Sequence, residues 1–182
     1  MTSLLVVPHR DGLAGYEAAL ATGWSPINVR DVSAEQLAAL RKDRDAFLDS
    51  LSRQGGTIDL GDGRIVPKLP IRPFWIWDGE FCGVIGLRFQ PGTEELPPHV
   101  SGHIGFAVVP WKRGRGYATR ALAEILPVAR EVGLRRVLLT CDHDNKGSRR
   151  VIEANGGILS GEVLVATPEE RRKLLFWVQI EP

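Results

Sequence analysis

The residues best suited to chemistry lie between positions 103 and 119, in the stretch HIGFAVVPWKRGRGYAT. At its centre Arg113, Gly114, Arg115, Gly116, Tyr117 and Ala118 form a basic, glycine-punctuated turn that opens straight into a helical pattern. The first turn of a helix leaves N–H groups unpaired, its dipole is positive at that end, and glycine lets an anion approach the backbone. A phosphate is the expected ligand. Two common phosphate loops are excluded by spacing, because Gly114 and Gly116 fit neither the two-glycine, Lys, Ser/Thr pattern nor GxGxxG. Cys82 and Cys141 lie far apart without metal-ligand spacing, so no metal is expected and reduced thiols are.

These residues need a strand before the turn and a helix after it. Residues 103–109 alternate as a strand does, and Pro110 ends the run because it has no N–H for a ladder. After the turn, Ala118, Leu122, Ile125, Ala129 and Val132 make an apolar stripe that stops at Gly133, with a kink or local bulge predicted at Pro127. RVLLTC, residues 136–141, reads as a strand covered on both faces. A short helix over residues 146–154 follows, capped by Asn145 or Asp144 and closed by Gly156 and Gly157. Residues 158–166 and 173–180 are the final strands.

Upstream, residues 4–7 suit a first strand and residues 13–20 a first helix. Ser33 with Gln36 reads as a capping box opening one long helix, with Leu37, Leu40, Phe47, Leu48 and Leu51 on its apolar face and residues 41–45 as a solvated charge run. Residues 54–73 form a loop or hairpin around Gly61, Asp62 and Gly63. Strands over 74–77 and 81–89 are joined by Asp78 and Gly79, and residues 90–101 are irregular. With 182 residues, 43% of them hydrophobic, the chain is expected to be one domain, 1–182. A net charge of +1 gives no field for nucleic acid or membrane. The N-terminus lacks a basic leader and a cleavage site, and no run of about 18 apolar residues occurs. A soluble, cytoplasmic protein is expected.

Arg113-x-x-Gly116-x-Ala118, preceded by Val108, Val109 and Pro110, resembles the Gln/Arg-x-x-Gly-x-Gly/Ala signature of the GNAT superfamily of acetyl-CoA-dependent N-acetyltransferases. The order of elements around it agrees, and HIGF…RGRGYAT…LTCDHDN…SRRVIEANGG looks like a bacterial group described only as predicted acetyltransferases. The resemblance implies an α/β (α+β) acyl-CoA N-acyltransferase fold: a mixed, mostly antiparallel central sheet with splayed fourth and fifth strands, flanked by helices. It also implies acetyl-CoA as co-substrate. Backbone amides of residues 113–118 would then cradle the pyrophosphate of coenzyme A, with charge added by Arg113 and Arg115. Backbone groups of Phe106, Ala107 and Val108 would lay out the pantetheine arm, an N–H near Val108 would polarise the thioester carbonyl, and Asn145 would contact the arm, with Ser148 one helical step beyond.

Transfer to a primary amine requires the ammonium, with a pKa of about 10.4, to lose a proton. His103 occupies a strand position where many relatives carry Glu, and an imidazole with a pKa of about 6.5 suits a base. His99, Asp142 and His143 are the next candidates. The position of the tyrosine that many relatives use to protonate the departing thiolate is Ile152 here, and Tyr117 sits inside the turn. That departure keeps a second reading open, a non-catalytic acyl-CoA-binding sensor or interaction module. The acceptor is expected to be an unidentified small-molecule or peptide amine, selected by the first helices and by residues 54–73 and 90–101. Exposed edges at the last hairpin point to a homodimer.

Overall fold

A computed structural model describes residues 3–28, 30–59, 63–165 and 171–180. In chain order these form β1 (Leu5–Val6), α1 (Leu13–Ala21), α2 (Ser33–Lys42), α3 (Arg44–Ser52), β2 (Thr57–Asp59), β3 (Ile65–Pro67), β4 (Ile71–Trp77), β5 (Phe81–Arg88), β6 (Ile104–Val108), α4 (Tyr117–Glu131), β7 (Arg136–Asp142), α5 (Lys146–Ala154), β8 (Ile158–Val165) and β9 (Arg171–Gln179). One sheet has the order β1-β4-β5-β6, a second β7-β9-β8, and β2 pairs with β3 as a separate ribbon. All paired strands are antiparallel.

The helical region differs from the expectation in two ways, each with a local cause. The single long helix expected from residue 33 is broken at Asp43, which leaves helical geometry at φ −156°, ψ 104°. Its Oδ1 accepts from the Ala46 N–H at 2.9 Å, so a residue of the supposed solvated charge run is the N-cap of α3. The capping box does not form either. Val32 is the N-cap of α2, and the Gln36 side chain accepts from the Tyr16 hydroxyl. A tertiary partner therefore takes the group that the local motif would have used.

Tyr16, Trp24, Phe47, Trp75 and Phe81 pack between these helices and one face of the first sheet, with Tyr16 stacked on Trp75 at 5.5 Å between ring centroids. Beyond the opposite face, Ile76, Ile85 and Leu87 meet Leu122 and Ile125 of α4 and Phe176 of β9. The stripe predicted on α4 is thus buried, and the helix runs unbroken through Pro127. The hairpin expected over residues 54–73 is the β2–β3 ribbon, with Ile58 opposite Val66. Gly61 and Asp62 at its tip lie outside the described residues, as does Ala166 at the end of the strand expected over 158–166.

The two large sheets meet at β6 and β7. His103 donates its backbone N–H to the Leu138 carbonyl at 2.7 Å, and no other backbone hydrogen bond joins these strands among the described residues. From that contact they splay, as the resemblance implied for a fourth and fifth strand.

Candidate active site

Strand register decides which backbone groups the splay exposes. Val109 donates to the Cys82 carbonyl and Arg88 to the His103 carbonyl, so 103, 105, 107 and 109 are the residues of this edge bonded to β5. Ala107 therefore spends its amide and carbonyl on Val84 and has none for a pantetheine arm, which corrects the expectation for that residue. Phe106 and Val108 present theirs to the open seam. On the other wall, His143 donates to Arg172, which assigns the odd-numbered residues of β7 to β9 and turns Thr140 toward the seam. The Val108 carbonyl accepts from Arg113 Nε at 3.1 Å, leaving its N–H.

The turn after β6 begins with a tight 3-10 segment, Pro110–Lys112. It takes the Arg113 N–H onto the Pro110 carbonyl at 3.3 Å, so Arg113 contributes its side chain and not its amide to any cradle. Gly114 and Gly116 adopt φ of +73° and +79°, and a β carbon on either would point into open space. The first helical bond of α4 runs from Arg120 N–H to Gly116 carbonyl at 3.0 Å. No backbone carbonyl among the described residues takes the N–H groups of residues 114–119, Arg115, Tyr117 and Ala118 included. Such a nest of aligned donors fits a pyrophosphate.

The start of α4 is pinned from outside. Tyr117 donates its hydroxyl to Asp78, and Lys112 Nζ pairs with Asp78 at 3.0 Å and Glu80 at 3.2 Å. Burial pushes the Asp78 pKa up, but hydrogen bonds from Tyr117, Lys112 and Cys82 outweigh it and hold the carboxyl well below its ordinary value. Tyr117 is thus committed to Asp78. Burial, followed by the Asp78 carboxylate beside it, pushes the Cys82 thiol up to about 12, so it is an inert core group.

Phe106, Val108, Gly116 and Ala118 line a cleft of about 490 Å³ together with Asn145 and Ser148. Asn145 caps α5, its Oδ1 accepting from Ser148 N–H at 3.0 Å, so its side-chain amide is the part left for a ligand. Asn145→Ser keeps a capping oxygen and should change stability by no more than about 0.5 kcal/mol. Calorimetric titration should still show several-fold weaker coenzyme A binding, because the amide donor is gone.

A second cavity of about 320 Å³ lies beside the first, lined by Tyr16, Gln36, Trp75, Arg88 and Thr140 among others. Asn28 and Phe106 line both, so the two volumes meet there. Sequence reasoning missed Asn28, Gln36, Arg88 and Thr140. Only Arg88 left a trace, as the one charged residue in the apolar run FCGVIGLRF.

None of the four candidate bases lines either cavity. His99 and His143 are exposed, and Asp142 Oδ1 faces Lys173 Nζ at 3.7 Å. His103 is fully buried, and its Nδ1 accepts from Leu138 N–H at 2.9 Å. Nε2 carries the proton by elimination and has no partner among the described residues. Burial pushes the imidazole down to about 4. The residue expected as a base is geometrically a clamp: it holds β6 to β7 by two hydrogen bonds at the vertex of the splay. Ile152 is buried in the core against Gly157 and offers no proton.

Residues 39–156 match the acetyltransferase (GNAT) family. No curated protein matches the sequence. Among solved structures, Mycobacterium smegmatis RimJ in complex with CoA-disulfide is similar at 22% identity and a TM-score of 0.64, over 94% of this chain and 79% of that one. A Salmonella typhimurium acetyl transferase that modifies the N-terminal serine of a 50S ribosomal subunit protein aligns at 14% identity and 0.63, over 97% and 94%. The microcin C7 self-immunity acetyltransferase MccE, in complex with acetyl-CoA and AMP, aligns at 13% identity and 0.59, over 97% and 91%. At these identities the likeness is one of fold.

Proposed function

Because the chain belongs to the acetyltransferase (GNAT) family, we propose that it transfers the acetyl group of acetyl-CoA directly to a primary amine seated in the smaller cavity. That it is an acetyl-CoA-dependent acyltransferase follows from the family. The observation that carries the finer proposal is the meeting of the two cavities at Phe106 and Asn28, which brings a donor held in one against an acceptor held in the other.

Acetyl-CoA supplies an activated thioester. Amides of residues 114–119 hold its pyrophosphate, with Arg113 and Arg115 adding charge, and the seam-facing groups of Phe106 and Val108 hold its arm. The free Val108 N–H donates to the thioester carbonyl oxygen, where negative charge develops. The amine lone pair forms the C–N bond as the C–S bond breaks, and the sulfur leaves with the electron pair and takes a proton from solvent. No carboxylate or imidazole among the described residues lines either cavity, so the ammonium gives up its proton to water.

Thiol release from acetyl-CoA across a panel of primary amines tests the proposal. Log kcat/KM should rise about one unit per pH unit up to the pKa of the amine, with no inflection near the ordinary histidine value of about 6.5. A plateau set by an enzyme group near pH 6 to 7 would show that a base is present. The ribosomal-protein N-terminal serine that the Salmonella enzyme modifies and the AMP bound by MccE support keeping both peptide and small-molecule amines in the panel. The exposed apolar edge of β8, with Ile158, Val163 and Leu164, supports the homodimer, and the buried free thiols Cys82 and Cys141 support a cytoplasmic setting.

A further inference from the structure

Arg88 stands at the end of β5 and lines the acceptor cavity. Its backbone N–H donates to the His103 carbonyl, but its guanidinium has no hydrogen bond and no ion pair to any other described residue. Arg30, Arg41, Arg136 and Arg149, all nearer to water, each meet a carboxylate at 2.7–3.1 Å. Arg88 is half-buried, and burial lowers its pKa from the usual value, so its charge is held in place at a cost. A desolvated guanidinium with five unmatched donors in a ligand cavity is half of a fork-shaped pair.

The surroundings hold that fork in a fixed place. Gly105, opposite Gly86 in the β5–β6 ladder, leaves the gap where the guanidinium lies: a β carbon on Gly105 would sit 3.2 Å from Arg88 Nη2, whereas one on Gly86 would meet Ile71. The same cavity is walled by Phe74, Trp75, Ile85 and Ile104, which offer no competing negative charge. Lys173, the other cation of the lining, already faces Asp142 at 3.7 Å. From Gly105 to the thioester-facing Val108 N–H the strand advances two to three residues, roughly 7–10 Å.

Building on the acetyl-transfer reading, we propose that Arg88 determines acceptor specificity by binding a carboxylate or phosphate carried by the acceptor, roughly 7–10 Å from the amine that is acetylated. A single α-amino acid is too short for that span. A peptide N-terminus with an acidic second residue fits it, as does an aminoalkyl phosphate, and the chemistry Arg88 recognises is the same in both.

The test uses the full chain saturated with coenzyme A. Binding of four probes is followed by tryptophan fluorescence, to which Trp75 in the cavity wall contributes, and by calorimetry: Ala-Glu-Ala and Ala-Gln-Ala as C-terminal amides, 6-aminohexyl phosphate and 6-aminohexanol. One anionic probe at least should bind about 10- to 100-fold more tightly than its neutral counterpart, the loss expected when a charged hydrogen-bond pair is removed. Which pair shows the difference tells a peptide source from a phosphate source. Arg88→Gln should erase the preference and Arg88→Lys keep part of it, both with wild-type coenzyme A affinity as the sign of an intact fold. Equal binding of anionic and neutral probes, failure of both anions to bind, or a preference that survives Arg88→Gln overturns the proposal. Thiol release is read in parallel. Anion preference without thiol release from any amine leaves the Arg88 site standing and removes acetyl transfer; thiol release without anion preference does the reverse.

Discussion

Gly116→Val should lower coenzyme A affinity by about 100-fold or more while the protein stays folded. At φ +79° the residue turns the chain into α4 and aims the amides behind it at one point. A β-branched side chain resists that conformation by about 1–3 kcal/mol, so relief comes by rotating the turn and scattering the donors. Two charge-assisted hydrogen bonds lost at about 1.5–3 kcal/mol each correspond to roughly 10²–10⁴ in affinity. Nothing lies within 4 Å of the added β carbon, so the core is untouched. The melting temperature should drop by no more than about 10 °C. Undiminished affinity in calorimetry would mean that the pyrophosphate is held elsewhere.

His103→Ala should act on stability first. It removes a fully buried ring, leaves the Leu138 N–H without its acceptor and opens a void, together about 3–4 kcal/mol, or roughly 6–16 °C in melting temperature. The pH dependence has a definite sign. Because the folded-state pKa is pushed down to about 4, the unfolded chain takes up a proton that the folded chain refuses. The stabilisation is complete above about pH 6.5 and is lost as the pH falls toward about 4, amounting to about 3 kcal/mol. Denaturant midpoints across that window should slope for the wild type and lose this component in the variant. At temperatures where both are folded, the pH dependence of kcat/KM should be the same in the two. If the variant lost a limb of that profile, His103 would be a base after all.

Features encoded by neighbours in sequence were legible: the Arg113 to Ala118 turn, the α4 stripe and the Asn145 cap each need only a few residues to be recognised. What escaped depended on partners far along the chain. Gln36 looked like half of a capping box because Tyr16, twenty positions earlier, is invisible to a local pattern. Asp43 could be surface or cap, and only the path of the backbone decides. The alternation of residues 103–109 told which side chains share a face. Which amides stay open at Phe106 and Val108 is set by the register with Cys82 and Arg88 on the neighbouring strand. His103 was read by the chemistry its type can do, whereas its environment comes from Leu138 on another sheet.

That environment sets an angular tolerance for the whole catalytic cleft. The strands part at His103 and the Val108 amide lies five residues out, an arm of roughly 17 Å. A rotation of about 1° at the vertex moves that amide by about 0.3 Å, nearly the full span of donor distances, about 2.7–3.1 Å, that an oxyanion accepts. A single hydrogen bond is a swivel, but two between the same pair of residues, at 2.7 and 2.9 Å, fix the opening angle as a bracket fixes a shelf. A polar ring in the middle of an apolar core is thereby accounted for. It sits about 17 Å from the Val108 amide and still sets where that amide stands, and with it the distance to any thioester bound as proposed.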